Sequence, residues 1–180
     1  MPICPKKLTL PKSGKISHII HLSDLHIRTG DIEHSRFKEY ENVFNQFIQD
    51  IKLLPHISNN STILLLAGDI FEHKNRIESP GIRLFYSFLG KLSNIAPVYI
   101  IQGNHDFRQD QPDSPDLLSS LLLNNENENI CYMDQTGIYL AGDIGFGLVS
   151  VKDTLKKGDT SGQVEDLPPF PPREQIPKTN

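Results

Sequence analysis

At 180 residues and 37% apolar content the chain is long enough for one domain with a sizeable core, and its longest unbroken apolar stretch, Ile63 to Ala67, is far too short to span a bilayer, so no membrane partner is expected. Two cysteines make no disulfide framework, and no apolar run follows the N-terminal lysines, which argues against a secretory leader and for a reducing, intracellular setting, nuclear or cytoplasmic. A net charge of −4 argues against a general polyanion-binding surface.

Residues 1–15 read as an N-terminal extension to a domain over residues 16–151. Ile16 to Ser23 is the first expected strand, and it runs into Asp24-Leu25-His26. Ser35 to Leu54 follows as an amphipathic helix, with Phe37, Tyr40, Phe44, Phe47, Ile48, Ile51 and Leu54 at helical spacing, Ser35 as N-cap and Pro55 as stop. Thr62 to Ala67 is a buried strand leading to Gly68-Asp69. The second helix runs from about Ser79 to Ser93, with Ser79 capping, Pro80 in the first turn, and Ile82, Phe85, Tyr86 and Leu89 facing inward. Pro97 opens a third strand, Val98 to Gln102, which exits into Gly103-Asn104-His105-Asp106. Pro115 to Leu123 reads as a short helix broken by the polar run after it. Three brief strands follow at Ile130–Met133, Gly137–Ala141 and Ile144–Val151, the last two joined by a Gly142-Asp143 hairpin. Residues 152–180 form a polar, proline-rich tail, expected to be extended or disordered.

Polar residues just past buried parallel strands emerge at the carboxyl edge of the sheet, where open α/β sheets bind ligands. Gly68 and Gly103 let the chain turn sharply there. Asp24 and His26, two apart on an extended strand end, would share a face and chelate one cation. Asp69 can bridge two cations with its two oxygens, and Asn104 offers a neutral hard oxygen suited to manganese or magnesium. His105 is placed as general acid or transition-state stabiliser, with Asp106 orienting its ring. Two divalent ions roughly 3.5–4 Å apart would activate water for attack on a phosphate ester. For the other histidines, the plainer readings are packing under the site for His18 or His21, a loop or secondary role for His73, and surface positions for His34 and His56. Arg28, Lys74, Arg76 and Arg108 follow the motifs closely, either as phosphate contacts or as solvated loop charges.

The blocks SDLHIR, GDIFEHKN and GNHDFR resemble the first three signature blocks of the calcineurin-like metallophosphoesterases. Within that superfamily the HLSDLHI block and the Gly-Asp-Ile-Phe tetrapeptide are most similar to SbcD-like nuclease subunits of DNA double-strand-break repair, over about Ile16 to Arg108. The resemblance implies Asp24, His26 and Asp69 on one ion, Asp69 and Asn104 on the other, and His105 as the catalytic histidine. It also implies an αββα sandwich, two divalent ions (manganese first; magnesium, iron or zinc otherwise), DNA as substrate, a homodimer and a coiled-coil ATPase partner.

The departure is equally specific. Family members carry a later Gly-His and a Gly-x-His-x-His, and no histidine follows His105 here. The expectation is therefore an α/β sandwich truncated before its second half, with few or no strands in the second sheet and an exposed apolar face that makes the chain poorly soluble, oligomeric or partner-dependent. The function expected is a metal-dependent DNA exo- or endonuclease, present as an N-terminal fragment inactive alone. A phosphomonoesterase or cyclic-nucleotide phosphodiesterase, or a truncated binding protein without catalysis, are the alternatives.

Overall fold

Uncharged runs rich in leucine and isoleucine are stable only where both faces of a strand are covered, and these runs make the centre of the molecule. The computed structural model describes residues 6–29, 36–58, 60–73, 78–108, 111, 114–122 and 125–156. In chain order the elements are β1 (Lys6–Lys7), β2 (His18–Leu22), α1 (Phe37–Lys52), α2 (Pro55–Ser58), β3 (Thr62–Ala67), α3 (Ser79–Ser93), β4 (Val98–Ile101), α4 (Leu117–Leu122), β5 (Ile130–Met133), β6 (Gly137–Ala141), β7 (Ile144–Leu148) and α5 (Val151–Lys156). Strands β2-β3-β4-β5 form a parallel sheet in that order, with α1, α3 and α4 in the connections. The protein is thus an α/β fold.

Alternation along β3 and β4 sorts the core into two layers. Leu64, Leu66, Val98 and Ile100 face the helices, against Phe44, Ile48 and Ile51 of α1, Leu84, Phe85, Phe88, Leu89 and Leu92 of α3, and Leu118 of α4. Phe44 stacks on Phe88 with ring centroids 4.1 Å apart. Full burial of a side chain such as Phe88 stabilises by about 1.5–3 kcal/mol. On the other face, Ile63 and Tyr99 pack with Met133, Tyr139 and Ala141. The sheet that supplies Tyr139 and Ala141 has the order β1-β6-β7, with β6 and β7 an antiparallel hairpin and β1 parallel to β6. Its turn uses Gly142 at φ +59°, a conformation that suits glycine.

Several expectations are corrected by this packing. The second sheet has three strands, within the few expected, but it covers Ile63 and Tyr99 completely, so the expected exposed apolar face is closed there and Ile19 of edge strand β2 is left exposed at 48%. Part of the expected N-terminal extension belongs to the domain, because Lys6 and Lys7 pair with β6 while Leu8 and Leu10 pack against the second-sheet core. Tyr86 of α3 is exposed and its hydroxyl donates to the Leu121 carbonyl, so the inward face is the one through Leu84 and Phe88. The α1 helix stops at Lys52 with Leu53 as its C-cap, and Pro55 opens α2, a position proline tolerates in a first helical turn. Residue Glu78 precedes α3 as its N-cap, so Ser79 is inside the helix. The expected last strand stops at Leu148, and Val151 begins α5. The Ser35 cap, His34, Lys74, Arg76, the Leu123 helix end and the tail from residue 157 lie outside the described residues.

A buried polar network ties α5 to the parallel sheet. Lys152 Nζ donates to Asp116 Oδ2 at 2.7 Å, Tyr132 Oη donates to Asp116 Oδ1 at 2.8 Å, and Gln102 Nε2 donates to Ser150 Oγ at 2.9 Å. Burial opposes ionisation of Asp116, but the bonds from Lys152, the Ser119 N–H and Tyr132 outweigh it and hold the carboxyl below its ordinary value. Removing one partner of a sequestered pair leaves the other charge uncompensated. Lys152→Ala is therefore expected to lower unfolding free energy by about 3 kcal/mol in a urea titration; an unchanged midpoint would mean that solvent already screens the pair.

Candidate metal centre

The site is assembled where β2 and β3 leave the sheet side by side. Beyond Leu22 and Ala67 the two chains keep pairing, through Asp24 N to Gly68 O (3.1 Å), His26 N to Asp69 O (3.0 Å), Ile27 N to Ile70 O (2.9 Å) and an isolated Ile27–Phe71 bridge. The backbone there is not extended. Asp24, His26 and Asp69 sit at φ +56°, +44° and +51°, and Asn60 is the one other non-glycine residue with positive φ among the described residues. Such conformations cost on the order of 1–3 kcal/mol each and persist where surrounding bonds over-determine them. The extended strand end expected for Asp24 and His26 is thus replaced by two left-handed residues, which still bring their side chains together.

One ligand atom each from Asp24, His26 and Asp69 lies within 4.8 Å of the others, as does a second group of His26, Glu72 and His105. His26 Nε2 is 3.6 Å from Asp24 Oδ1, and His26 Nδ1 is 2.8 Å from Glu72 Oε2. The Ser23 hydroxyl, against a smaller opposing effect of burial and with help from His26, holds the Asp24 carboxyl below its ordinary value. Tyr40 of α1 fixes the loop from behind, its hydroxyl donating to the His26 carbonyl at 2.6 Å.

The third loop comes from β4. His105 N–H donates to Asp69 Oδ1 at 2.9 Å, its Nδ1 lies 2.8 Å from the Glu72 carbonyl oxygen, and its ring stands edge-on to His26 with centroids 4.9 Å apart. Asn104 is exposed at the turn just before it. Asp106 does not orient the His105 ring. Its carboxylate is fully buried and accepts from Gly103 N (2.8 Å), Ile70 N (3.0 Å) and Phe71 N (3.4 Å), because the β3 and β4 exits must satisfy their backbone donors as they turn away from the sheet. Burial pushes its carboxyl up to about 6, against the pull of those N–H groups.

Glu72 was not singled out in the sequence, although it stands in the same loop as Asp69 and directly follows Phe71. His18 and His21 are exposed, with His18 stacked on His56 at 3.7 Å, so neither packs under the site. His73 and Arg28 are exposed.

These donors fit a divalent cation. Carboxylate oxygens and imidazole nitrogens gather in two overlapping groups that share His26, the ligand atoms of each group lying within 4.8 Å of one another, a donor set suited to such an ion. No described helix is long and apolar enough to cross a membrane.

Comparison with known proteins agrees with this geometry. The calcineurin-like phosphoesterase family matches residues 17–171. An uncharacterized protein of Acanthamoeba polyphaga mimivirus is 33% identical over 155 residues, covering 85% of this chain and 11% of that protein. "Putative phosphoesterase 244L" of Invertebrate iridescent virus 6 is 25% identical over 134 residues, covering 73% of this chain and 42% of its own length. The chain therefore spans about a tenth and about two-fifths of these curated relatives.

Proposed function

Because the chain belongs to the calcineurin-like phosphoesterase family, we propose that it contributes the metal-binding edge of a phosphate-ester hydrolase whose substrate is a DNA phosphodiester. The observation that carries the hydrolytic reading is the convergence of Asp24, His26 and Asp69 on left-handed backbone at one sheet edge, with His105 bonded to Asp69. The DNA reading is supported by the resemblance of the Asp24, Asp69 and His105 blocks to the SbcD-like nucleases. The homodimer and the ATPase partner rest on that resemblance alone.

When bound, divalent ions supply Lewis acidity and an activated water at neutral pH. Asp24, His26 and Asp69 would hold one ion, and Asp69 with Asn104 the other; the hard oxygen donors suit manganese or magnesium. Asp106 acts on this site by fixing the Gly103 and Ile70 backbone beside the ligands. With Nδ1 engaged by the Glu72 carbonyl, His105 keeps Nε2 for giving or holding a proton at the leaving oxygen.

The net charge of −4 favours a second reading, a phosphomonoesterase or cyclic-nucleotide phosphodiesterase acting on a small substrate. One experiment separates the two: manganese titration by calorimetry, then hydrolysis of single- and double-stranded DNA, a nucleotide monoester and a cyclic nucleotide, with the chain joined to a downstream segment that carries the later Gly-His and Gly-x-His-x-His blocks. DNA cleavage that falls about 10²–10⁴-fold in His105→Ala, with manganese still bound, is the expected result. Turnover of the small esters alone would replace the DNA reading. Manganese binding without any turnover would leave a binding protein.

A further inference from the structure

The chemistry of the site leaves Glu72 unexplained, yet it touches both histidines. Its carboxylate Oε2 is 2.8 Å from His26 Nδ1, and its main-chain carbonyl is 2.8 Å from His105 Nδ1. Its own N–H donates to the Ile27 carbonyl at 3.3 Å, which locks this backbone to the loop that carries His26. His26 Nδ1 is buried and the Glu72 carboxylate lies beside it, but the two are not aligned as a hydrogen bond, so an Nδ1–H bond to Oε2 requires the ring to turn.

We propose that Glu72 is a positioning residue that sets the tautomer of both site histidines, His26 through its carboxylate and His105 through its carbonyl, so that each ring presents Nε2. This rests on the reading of His26 as a metal ligand. A neutral imidazole carries one N–H, and the nitrogen that keeps it is chosen by the acceptor it meets. With Nδ1–H directed to Glu72, the lone pair of His26 lies on Nε2, the nitrogen 3.6 Å from Asp24 Oδ1. A carboxylate behind a ligating imidazole also raises its basicity, and losing such a partner costs about 10–100-fold in metal affinity. His105 receives the same orientation from an acceptor that no side-chain substitution removes.

That asymmetry makes the test. Histidine-labelled ¹⁵N spectra of the full chain at about pH 8.5, where imidazoles are neutral, report which nitrogen carries the proton; His26→Gln and His105→Gln chains assign the signals. Wild type is expected to hold both protons on Nδ1. Glu72→Ala should move the His26 proton to Nε2 and leave His105 unchanged, and Glu72→Gln should restore the His26 tautomer because its amide oxygen still accepts. Zinc should shift His26 Nε2 in wild type, with affinity about 10–100-fold weaker in Glu72→Ala and recovered in large part in Glu72→Gln. A His26 tautomer unaffected by Glu72→Ala would overturn the proposal. Zinc acting on His26 Nδ1, with Glu72→Gln as damaging as Glu72→Ala, would overturn it too and make Glu72 a direct ligand. Zinc that leaves the His26 signals of wild type unmoved would overturn the metal reading instead, while the tautomers still decide the role of Glu72.

Discussion

Gly103→Ala is expected to destabilise the protein by about 4 kcal/mol or more and to weaken the proposed metal binding at Asp69. A methyl group on Gly103 would collide with the Asp69 carboxylate and with the Asp69 backbone nitrogen. Neither can retreat at low cost. The carboxylate accepts the His105 N–H, and the backbone on either side is bonded to the β2 exit through Gly68 O and Asp69 O. The contact is reciprocal, since a Cβ on Gly68 would lie 2.6 Å from Gly103 N, at a φ of +85° that already disfavours a side chain. Ordinary overpacking against flexible side chains costs about 1–3 kcal/mol; here the obstacle is backbone, so the β3 and β4 exits must separate and carry Asp69 away from His105. Chemical denaturation and a manganese titration check both parts. Gly90→Ala is the control: nothing lies within 4 Å of the added methyl on α3, and a gain of up to about 1 kcal/mol is expected. Wild-type stability and metal affinity in Gly103→Ala would refute the close approach of the two loops.

The second large effect belongs to Asp106. Replacing it with alanine orphans the N–H groups of Gly103, Ile70 and Phe71, which the carboxylate serves in a fully buried position. At about 2 kcal/mol per unsatisfied donor the loss is near 6 kcal/mol. Relief from burying a charge, for a carboxyl pushed up to about 6, returns about 3 kcal/mol. The net expectation is a loss of about 3 kcal/mol at pH 7, measured by urea unfolding. The pH dependence has a definite sign. A carboxyl raised from 3.8 to about 6 binds its proton more tightly in the folded chain, so its contribution is fully present below about pH 4 and is lost as pH rises through about 6. Between those values the wild type should lose up to about 3 kcal/mol of stability that Asp106→Ala does not lose. Identical pH profiles for the two chains would show that Asp106 keeps an ordinary affinity for its proton.

Both predictions concern backbone contacts between loops, and this is where the sequence was least legible. Thr62–Ala67, Ile130–Met133 and Gly137–Ala141 were readable to the residue, and Val98–Ile101 to within one, because each is a short apolar run whose ends are marked by turn or polar residues, with burial on both faces in β3 and β4. The α3 face was half readable: Phe85 and Leu89 were placed correctly, whereas Tyr86 is apolar enough to fit the pattern and finds its partner in the Leu121 carbonyl instead. A two-residue strand such as β1 has no period to detect, and its existence depends on β6 arriving beside it.

For the site, the sequence by itself determined the ingredients. An α/β sheet with polar motifs at three strand exits follows from local composition, and Asp24, His26, Asp69 and His105 do meet at one sheet edge. Only the tertiary structure decided what each group touches. The Asp106 carboxylate serves amides 35 and 36 residues before it, and the Glu72 oxygens reach His26 and His105 across two different loops. Local pattern encodes which residues must be buried and where the chain can turn. The partners of a buried polar atom are chosen when distant loops close on one another, since every donor and acceptor removed from water must find whatever counterpart that closure brings within reach.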